Sequence, residues 1–202
     1  MPRSSANSAE ESGRLFVVSG PSGVGKSTIV DGLARLRSFH FSVSATTRSP
    51  RPGETEGVDY LFVDRAGFER MIAEGELLEW ATYGDDYYGT PRRPVEDALT
   101  AGSDVVLEIE VQGARQVRSA FPEAVLVFIA PPTPDVLETR LRGRGDTSPE
   151  AIARRLAIAR EELAAVDEFD HVVVNHDLGQ AIAELDRVMA RYPGGQSSQE
   201  TP

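Results

Sequence analysis

The chain has no cysteine. That excludes a disulfide framework and any thiolate metal site. It has a single lysine, Lys26, and every other fixed cation is an arginine. No apolar run approaches the roughly 20 residues that a membrane-spanning helix needs. Met1 to Gly13 lacks the apolar centre of a secretory leader, so none is expected. His40, His171 and His176 show no metal-ligand spacing, and no transition-metal site is expected from them. Positive charge is also scarce overall. A net charge of −11 argues against a nucleic-acid polymer as partner. A cytoplasmic enzyme with no membrane partner fits these absences, as a monomer or a homo-oligomer alike.

What is present is enough for one domain. At 202 residues, 40% hydrophobic and 26% charged, the composition is globular and can bury a full core. Residues 1–13 and the stretch from Pro193 to Pro202 are polar without periodicity and read as disordered tails. The arginines are clustered. Arg35, Arg37, Arg48 and Arg51 precede the first acid after Asp31, which is Glu54, and a second group holds Arg140, Arg142, Arg144, Arg154, Arg155 and Arg160.

An apolar run, Phe16-Val17-Val18, leads into Ser19-Gly20-Pro21-Ser22-Gly23-Val24-Gly25-Lys26-Ser27-Thr28. The spacing is G-x-x-x-x-G-K-[ST], placed where a strand should turn into a helix. Glycines at 20, 23 and 25 let backbone N–H groups face a polyphosphate without Cβ clashes. The helix from Lys26 adds the positive end of its dipole. Lys26 then reaches the β- and γ-phosphates, and the Ser27 hydroxyl ligates Mg²⁺. A chance glycine-rich turn would lack this order of strand, loop and helix. The stretch therefore predicts binding of a nucleoside triphosphate with magnesium by Gly20 to Thr28.

Along the chain, strands are expected at Leu15 to Ser19, Phe41 to Ser44, Tyr60 to Val63, Leu77 to Trp80, Tyr87-Tyr88, Val105 to Ile109, Val125 to Ile129 and Val172 to Val174. Helices are expected at Lys26 to Leu36, after Asp64 to about Glu74, from Thr90-Pro91 with Thr90 as N-cap, up to Phe121, from Thr133-Pro134 to Arg142, from Ser148 to about Glu168, and after an Asp177/Gln180 capping box. The alternation implies an α/β fold, a P-loop kinase core with a parallel sheet flanked by helices. The core is read as 14–43 and 91–192. Residues 44–90 are locally β-rich and read as an inserted small subdomain. Gly143 and Gly145 read as a hinge-like loop.

The phosphate loop leaves the acceptor open. Arg48 and Arg51, three apart on a proline-braced loop, can fork onto one phosphate. From local composition alone, a solvated surface loop fits equally well.

At this point the sequence resembles the guanylate kinase family. The resemblance rests on Gly20-Pro-Ser-Gly-Val-Gly-Lys-Ser27, Ser44-Ala-Thr-Thr-Arg-Ser-Pro-Arg51, Gly57-Val-Asp-Tyr60, Glu79-Trp80-Ala81, Tyr87-Tyr-Gly-Thr90, Arg140-Leu-Arg-Gly-Arg144-Gly and Arg155-Leu156. These matches run in family order from about residue 14 to 191. The resemblance implies transfer of a phosphoryl group from ATP to GMP, giving ADP and GDP. It makes 44–90 the GMP-binding subdomain and about 140–155 a helical lid. It implies that Arg48, Arg51, Tyr60 and Tyr88 hold the GMP phosphate and that Ser44, Glu79 and Thr90 read guanine. Guanine's N1–H and exocyclic amine form a donor pair that suits a carboxylate, and adenine lacks that pair. Core packing is the ordinary alternative for the two tyrosines.

The acceptor oxygen is already anionic near neutral pH, so alignment and charge neutralisation replace a general base. The family picture makes Lys26, Arg48, Arg140, Arg144 and Arg155 catalytic, whereas Arg142, Arg154 and Arg160 read as ordinary helix-face charges. Glu108 and Glu110 stand where the family commonly has aspartates, with Mg²⁺ waters or the GMP ribose and base as their open alternatives. Asn175 falls at the family's position near adenine, beside His176 where an aspartate is common. The rival class is a catalytically inactive guanylate-kinase-like interaction module, against which the intact Gly25-Lys26-Ser27 argues.

Overall fold

The computed structural model describes residues 12–142 and 149–192. The expected tails, Arg144, and the Gly143/Gly145 hinge lie outside the described residues, apart from residues 12 and 13. Strand β1 (Leu15–Ser19) is buried along its whole length because helices cover both faces. Its alternation sorts the core into two layers. Phe16 and Val18 pack with Ile29 and Leu33 of α1 (Lys26–Leu33) and Leu185 of α7 (Leu178–Ala190). Leu15 and Val17 pack on the other face with Val95 of α3 (Arg92–Thr100) and Ala114 and Val117 of α4 (Val111–Ala120). Each fully buried side chain of this kind contributes about 1.5–3 kcal/mol.

The main sheet has the order β2-β7-β1-β8-β9, every neighbour parallel. Here β2 is His40–Phe41, β7 Val105–Glu108, β8 Val125–Ala130 and β9 His171–Val174. Parallel strands end together, so the loop after β1, Glu108, and Asn175 gather at one carboxyl edge, where open α/β sheets bind ligands. Helices α5 (Pro134–Arg142) and α6 (Pro149–Ala164) connect β8 to β9, with a short 3₁₀ turn at Val166–Glu168.

A second sheet, β4-β3-β6-β5, is mixed. It comprises β3 (Ala45–Thr46), β4 (Leu61–Phe62), β5 (Leu77–Tyr83) and β6 (Asp86–Pro91), and carries α2 (Arg65–Ala73). Phe68 of α2 is fully buried against Ala45, Leu77, Trp80 and Tyr87. The Asp64 carboxylate caps α2 by accepting from the Gly67 N–H, as its position predicts.

Three expectations are corrected. The single strand expected at Phe41 to Ser44 is two short strands, one in each sheet, because the chain crosses between the sheets at Ser42–Ser44. Helix α1 ends at Leu33 rather than Leu36; Leu36 N–H bonds the Leu33 carbonyl in a tightened last turn. Thr90 does not cap α3. It pairs in β6, its hydroxyl is engaged elsewhere, and Pro91 holds the N-cap position.

Candidate active site

The loop between β1 and α1 turns on glycine. Gly25 caps α1 at φ 98°, and a Cβ there would lie 2.8 Å from Asn175 Nδ2. Gly20, at φ 138°, passes so close to the Ile129 carbonyl that a Cβ would sit 2.2 Å from its oxygen. Any side chain at either position would spread the loop. Asn175 donates from Nδ2 to the Val24 carbonyl at 2.8 Å, fixing the loop's far side to the end of β9. Arg140 reaches the same place from α5, donating to the Val24 carbonyl at 3.2 Å and the Asn175 carbonyl at 3.1 Å. Both of its arms are therefore committed to carbonyls that brace the loop.

Lys26 is 8% exposed, donates to the Gly20 carbonyl, and lies 3.7 Å from Glu110. Ser27 donates its hydroxyl to Glu108 at 2.7 Å. Burial pushes the Glu108 carboxyl up, while the Ser27 hydrogen bond and Lys26 pull it down. Ser27 and Glu108 offer hard oxygen donors beside the loop, which suits a divalent cation of the Mg²⁺ type. Among the described residues, no group of three or more His, Asp or Glu could hold a metal. A cation here would therefore complete its coordination with phosphate oxygens and water, as Mg²⁺ does in nucleotide sites.

A cleft of about 540 Å³ separates the two sheets; Ser44, Tyr60, Glu79, Tyr88, Glu108, Glu110 and Arg155 line it. On the second sheet Arg48 forks onto Glu54, at 2.8 and 2.9 Å, and its Nε donates to the Tyr88 hydroxyl at 3.2 Å. Its guanidinium lies 5.2 Å from the centre of the Tyr60 ring. The Glu54 hydrogen bond raises the Arg48 pKa, and Arg48 in turn holds the Glu54 carboxyl down at about 2. Glu54 also accepts from the Arg51 backbone N–H at 2.7 Å, so one carboxylate folds the loop that carries both arginines. The Arg51 side chain itself is exposed.

Glu79 is 6% exposed and accepts a 2.6 Å hydrogen bond from the Thr90 hydroxyl. Desolvation pushes its carboxyl up to about 7, against the pull of that hydrogen bond. Tyr60 and Tyr88 meet edge-on at 6.0 Å. They line the cleft and also pack on each other.

Of the sequence-predicted residues, Ser22, Ser44, Tyr60, Glu79, Tyr88 and Arg155 line the cleft, and Lys26 and Ser27 line an adjoining smaller one with Ser44 and Tyr60; Arg140 and Asn175 lie behind the phosphate loop, and Arg48, Arg51 and Thr90 belong to the second sheet and its loop without lining either. Glu108 and Glu110 line both. Arg142 pairs with Glu138 on its own helix, and Arg154 and Arg160 are exposed, in line with helix-face roles. Four site residues escaped the sequence reading. Glu54 could have been found three residues after Arg51 in the same loop. Glu162 lies two turns beyond Arg155 on α6; burial and the neighbouring Glu110 push its carboxyl up. Gly113 and Gln116 of α4 touch the Glu79–Trp80 segment, and only the acidic strand end preceding α4 hints at them.

A glycine loop of this kind at the carboxyl edge of a parallel sheet, facing a second small sheet across a cleft, is the arrangement of a P-loop nucleotide kinase. The guanylate kinase family model matches residues 12–192. A guanylate kinase from Gloeobacter violaceus is 57% identical over 177 residues, 87% of this chain and 86% of that protein. One from Thermobifida fusca is 55% identical over 186 residues, 92% of this chain and 95% of that protein. The chain belongs to the guanylate kinase family. The crystal structure of guanylate kinase from Anaplasma phagocytophilum matches with TM-score 0.74 at 32% identity, covering 90% of this chain and 87% of that one. A shikimate kinase from Bacteroides thetaiotaomicron, at 16% identity and TM-score 0.51, shares the fold alone.

Proposed function

We propose that this chain transfers the γ-phosphoryl group of ATP to GMP, giving ADP and GDP. The observation that carries the reading is the Glu79 carboxylate. It is buried where it lines the cleft, on the same small sheet as Tyr88, to which the Arg48 fork is hydrogen-bonded, and Ser22 of the phosphate loop lines that cleft too. A buried carboxylate with one Thr90 bond retains acceptor capacity, and guanine's N1–H and amino group would fill it. The intact loop and the guanylate kinase relatives favour the enzyme over an inactive interaction module.

Residues 44–90 act as the GMP-binding subdomain in this reading, and about 140–155 as the lid. Gly20 to Thr28 wrap the ATP phosphates, with Lys26 on the transferring end and Asn175 towards adenine. Arg48, Arg51, Tyr60 and Tyr88 hold the GMP phosphate, and Ser44, Glu79 and Thr90 the base. Glu110 lines the same cleft beyond them. Ser27, with Glu108 behind it, would hold Mg²⁺, which would supply charge neutralisation to the phosphates. The acceptor oxygen needs no base, so the protein's work is alignment and neutralisation. Arg155 and Arg144 add cations from the lid, while Arg140 acts by keeping the loop in shape. The cytoplasm is the location we assign. Among the described residues no helix is long and apolar enough to cross a membrane.

Coupled measurement of ADP formation with GMP, AMP, CMP and UMP tests the reading. GMP should lead by orders of magnitude; equal turnover of AMP would overturn the guanine assignment.

A further inference from the structure

Glu79 owes its orientation to helix α4. In a regular strand Leu77 and Glu79 would share one face, and Leu78 and Trp80 the other. The pairing of β5 with β6 slips between Leu77 and Glu79. A slip of this kind re-aims the side chains around it. Leu77 and Trp80 consequently both join the cluster around Phe68. Leu78 turns the other way, into the cluster that holds Ala114 and Val117 of α4. Glu79 turns the same way as Leu78 and lies against Gly113 of that helix.

Two α4 residues, one turn apart, receive this segment. At Gly113 an added Cβ would stand 2.4 Å from Glu79 Oε2, 3.0 Å from its Cδ and 3.2 Å from Ile109 Cδ1. The carboxylate occupies space that any side chain at 113 would take. Gln116 accepts from the Trp80 N–H at 3.1 Å through Oε1 and donates from Nε2 to the Trp80 carbonyl at 2.7 Å. Strand β5 is the edge of its sheet, so one side of its backbone has no neighbouring strand. The Gln116 amide pairs with that open side as a strand would, and it does so from the core.

We propose that Gln116 is a positioning residue for guanine recognition, with Gly113 providing the space in which the Glu79 carboxylate lies. The proposal rests on the assignment of Glu79 to the base. Glu79 cannot reorient freely, since Thr90 holds one oxygen and α4 limits the other. The Gln116 link also ties β5 to α4, which packs on the main sheet, so it fixes the base-reading carboxylate relative to the core that carries the phosphate loop. Loss of the link would let Glu79 shift by a fraction of an ångström, which weakens hydrogen bonds to the base and spares contacts to the phosphate.

The test compares wild type with Gln116→Met, Gly113→Ala and Glu79→Gln, using GMP and inosine monophosphate, which lacks the 2-amino group. Gln116→Met keeps the side chain's length and removes both hydrogen bonds. Gly113→Ala raises helix propensity, so a loss there acts through the side chains its Cβ meets, Glu79 first and Ile109 after it, and not through the helix. Both variants should lower kcat/KM for GMP by about tenfold, mostly through KM, and that for inosine monophosphate by less than about threefold. The KM for ATP should stay within about twofold. An equal fall with both acceptors in both variants, or no fall in either, overturns the positioning role. If Glu79→Gln collapses the GMP preference while these two variants keep it, only this proposal fails. If Glu79→Gln also keeps the preference, the base assignment beneath it fails. Should Gln116→Met not fold, Gln116→Asn, which keeps the amide but draws it one methylene back from Trp80, takes its place.

Discussion

The two sides of the cleft are built by different means for the phosphates proposed to bind there. On the core side the work is done by backbone: Gly20, Gly23 and Gly25 all have positive φ, and α1 begins at Lys26. On the second sheet it is done by side chains already committed to one another, Arg48 to Glu54 and Tyr88, and Glu79 to Thr90. A backbone cradle reads charge and shape and is indifferent to the base. A buried carboxylate reads the base, because an unmatched partner leaves it desolvated and unpaired. On the proposed assignment, the donor side would supply rate and the acceptor side identity.

Substitution of Lys26 tests that division most severely. Lys26→Met should lower kcat by about 10³-fold, the scale of losing one charged contact to a developing anion. Calorimetric binding of GMP should remain within about twofold of wild type, as expected if the two halves are separable. A matching loss of GMP affinity would break the comparison. Next in size, Glu79→Gln should lower kcat/KM for GMP by about 10²-fold and leave the KM for ATP unchanged. Equal losses for both substrates would mean that Glu79 supports the fold and does not read the base.

The same contrast explains what could be read from the chain. Residues 20–27 are contiguous, and their geometry follows from the residue types themselves, so the loop was legible with its strand and helix. Asp64 at the start of α2 was legible for the same local reason. Thr90 was not. Its position before Pro91 signals a helix cap, yet β6 carries it to Glu79, eleven residues away, and tertiary pairing prevails over the local signal. The crossing at Ser42–Ser44 was hidden too, because one short apolar run feeds two sheets. Arg48 was legible only as one of two equal alternatives, and Glu79 became a candidate site residue by resemblance. Their partners Glu54, Gly113 and Gln116 carry no motif, and their roles exist only once the sheets and α4 meet.

The acid response sharpens the comparison further. Desolvation raises the Glu79 carboxyl to about 7, so below that value the free enzyme increasingly holds a neutral acid. A neutral carboxyl offers guanine one acceptor fewer. The KM for GMP should rise as pH falls below 7, by up to about tenfold per unit, with no such slope for ATP. The GMP phosphate itself gains a proton near pH 6, so the slope due to Glu79 is the part that Glu79→Gln removes. Stability runs in the opposite sense. The unfolded carboxyl ionises near 4.5 and the folded one near 7, so the native state loses stability as pH rises between those values. Glu79→Gln should accordingly raise Tm at pH 8 and leave it nearly unchanged at pH 4. An unchanged difference across that range would place Glu79 in water.

The smallest effect concerns the preset fork. Glu54 holds both arms of Arg48 and the Arg51 backbone, and could act as a rival to the GMP phosphate or as its scaffold. The geometry favours the scaffold. Glu54 shapes the loop through a backbone N–H as well as through the guanidinium, and Arg48 keeps Nε on Tyr88 beside the cleft. A rival would have to be expelled, and its removal would tighten GMP; a scaffold's removal loosens the loop. Glu54→Gln keeps the shape and removes the charge, at a partly exposed pair whose net contribution is modest. The KM for GMP should therefore rise only about threefold, with kcat for saturating GMP nearly unchanged. A fall in KM would make Glu54 a gate that the incoming phosphate displaces, and the acceptor side would then be held shut by its own charges in a way the glycine loop of the donor side is not.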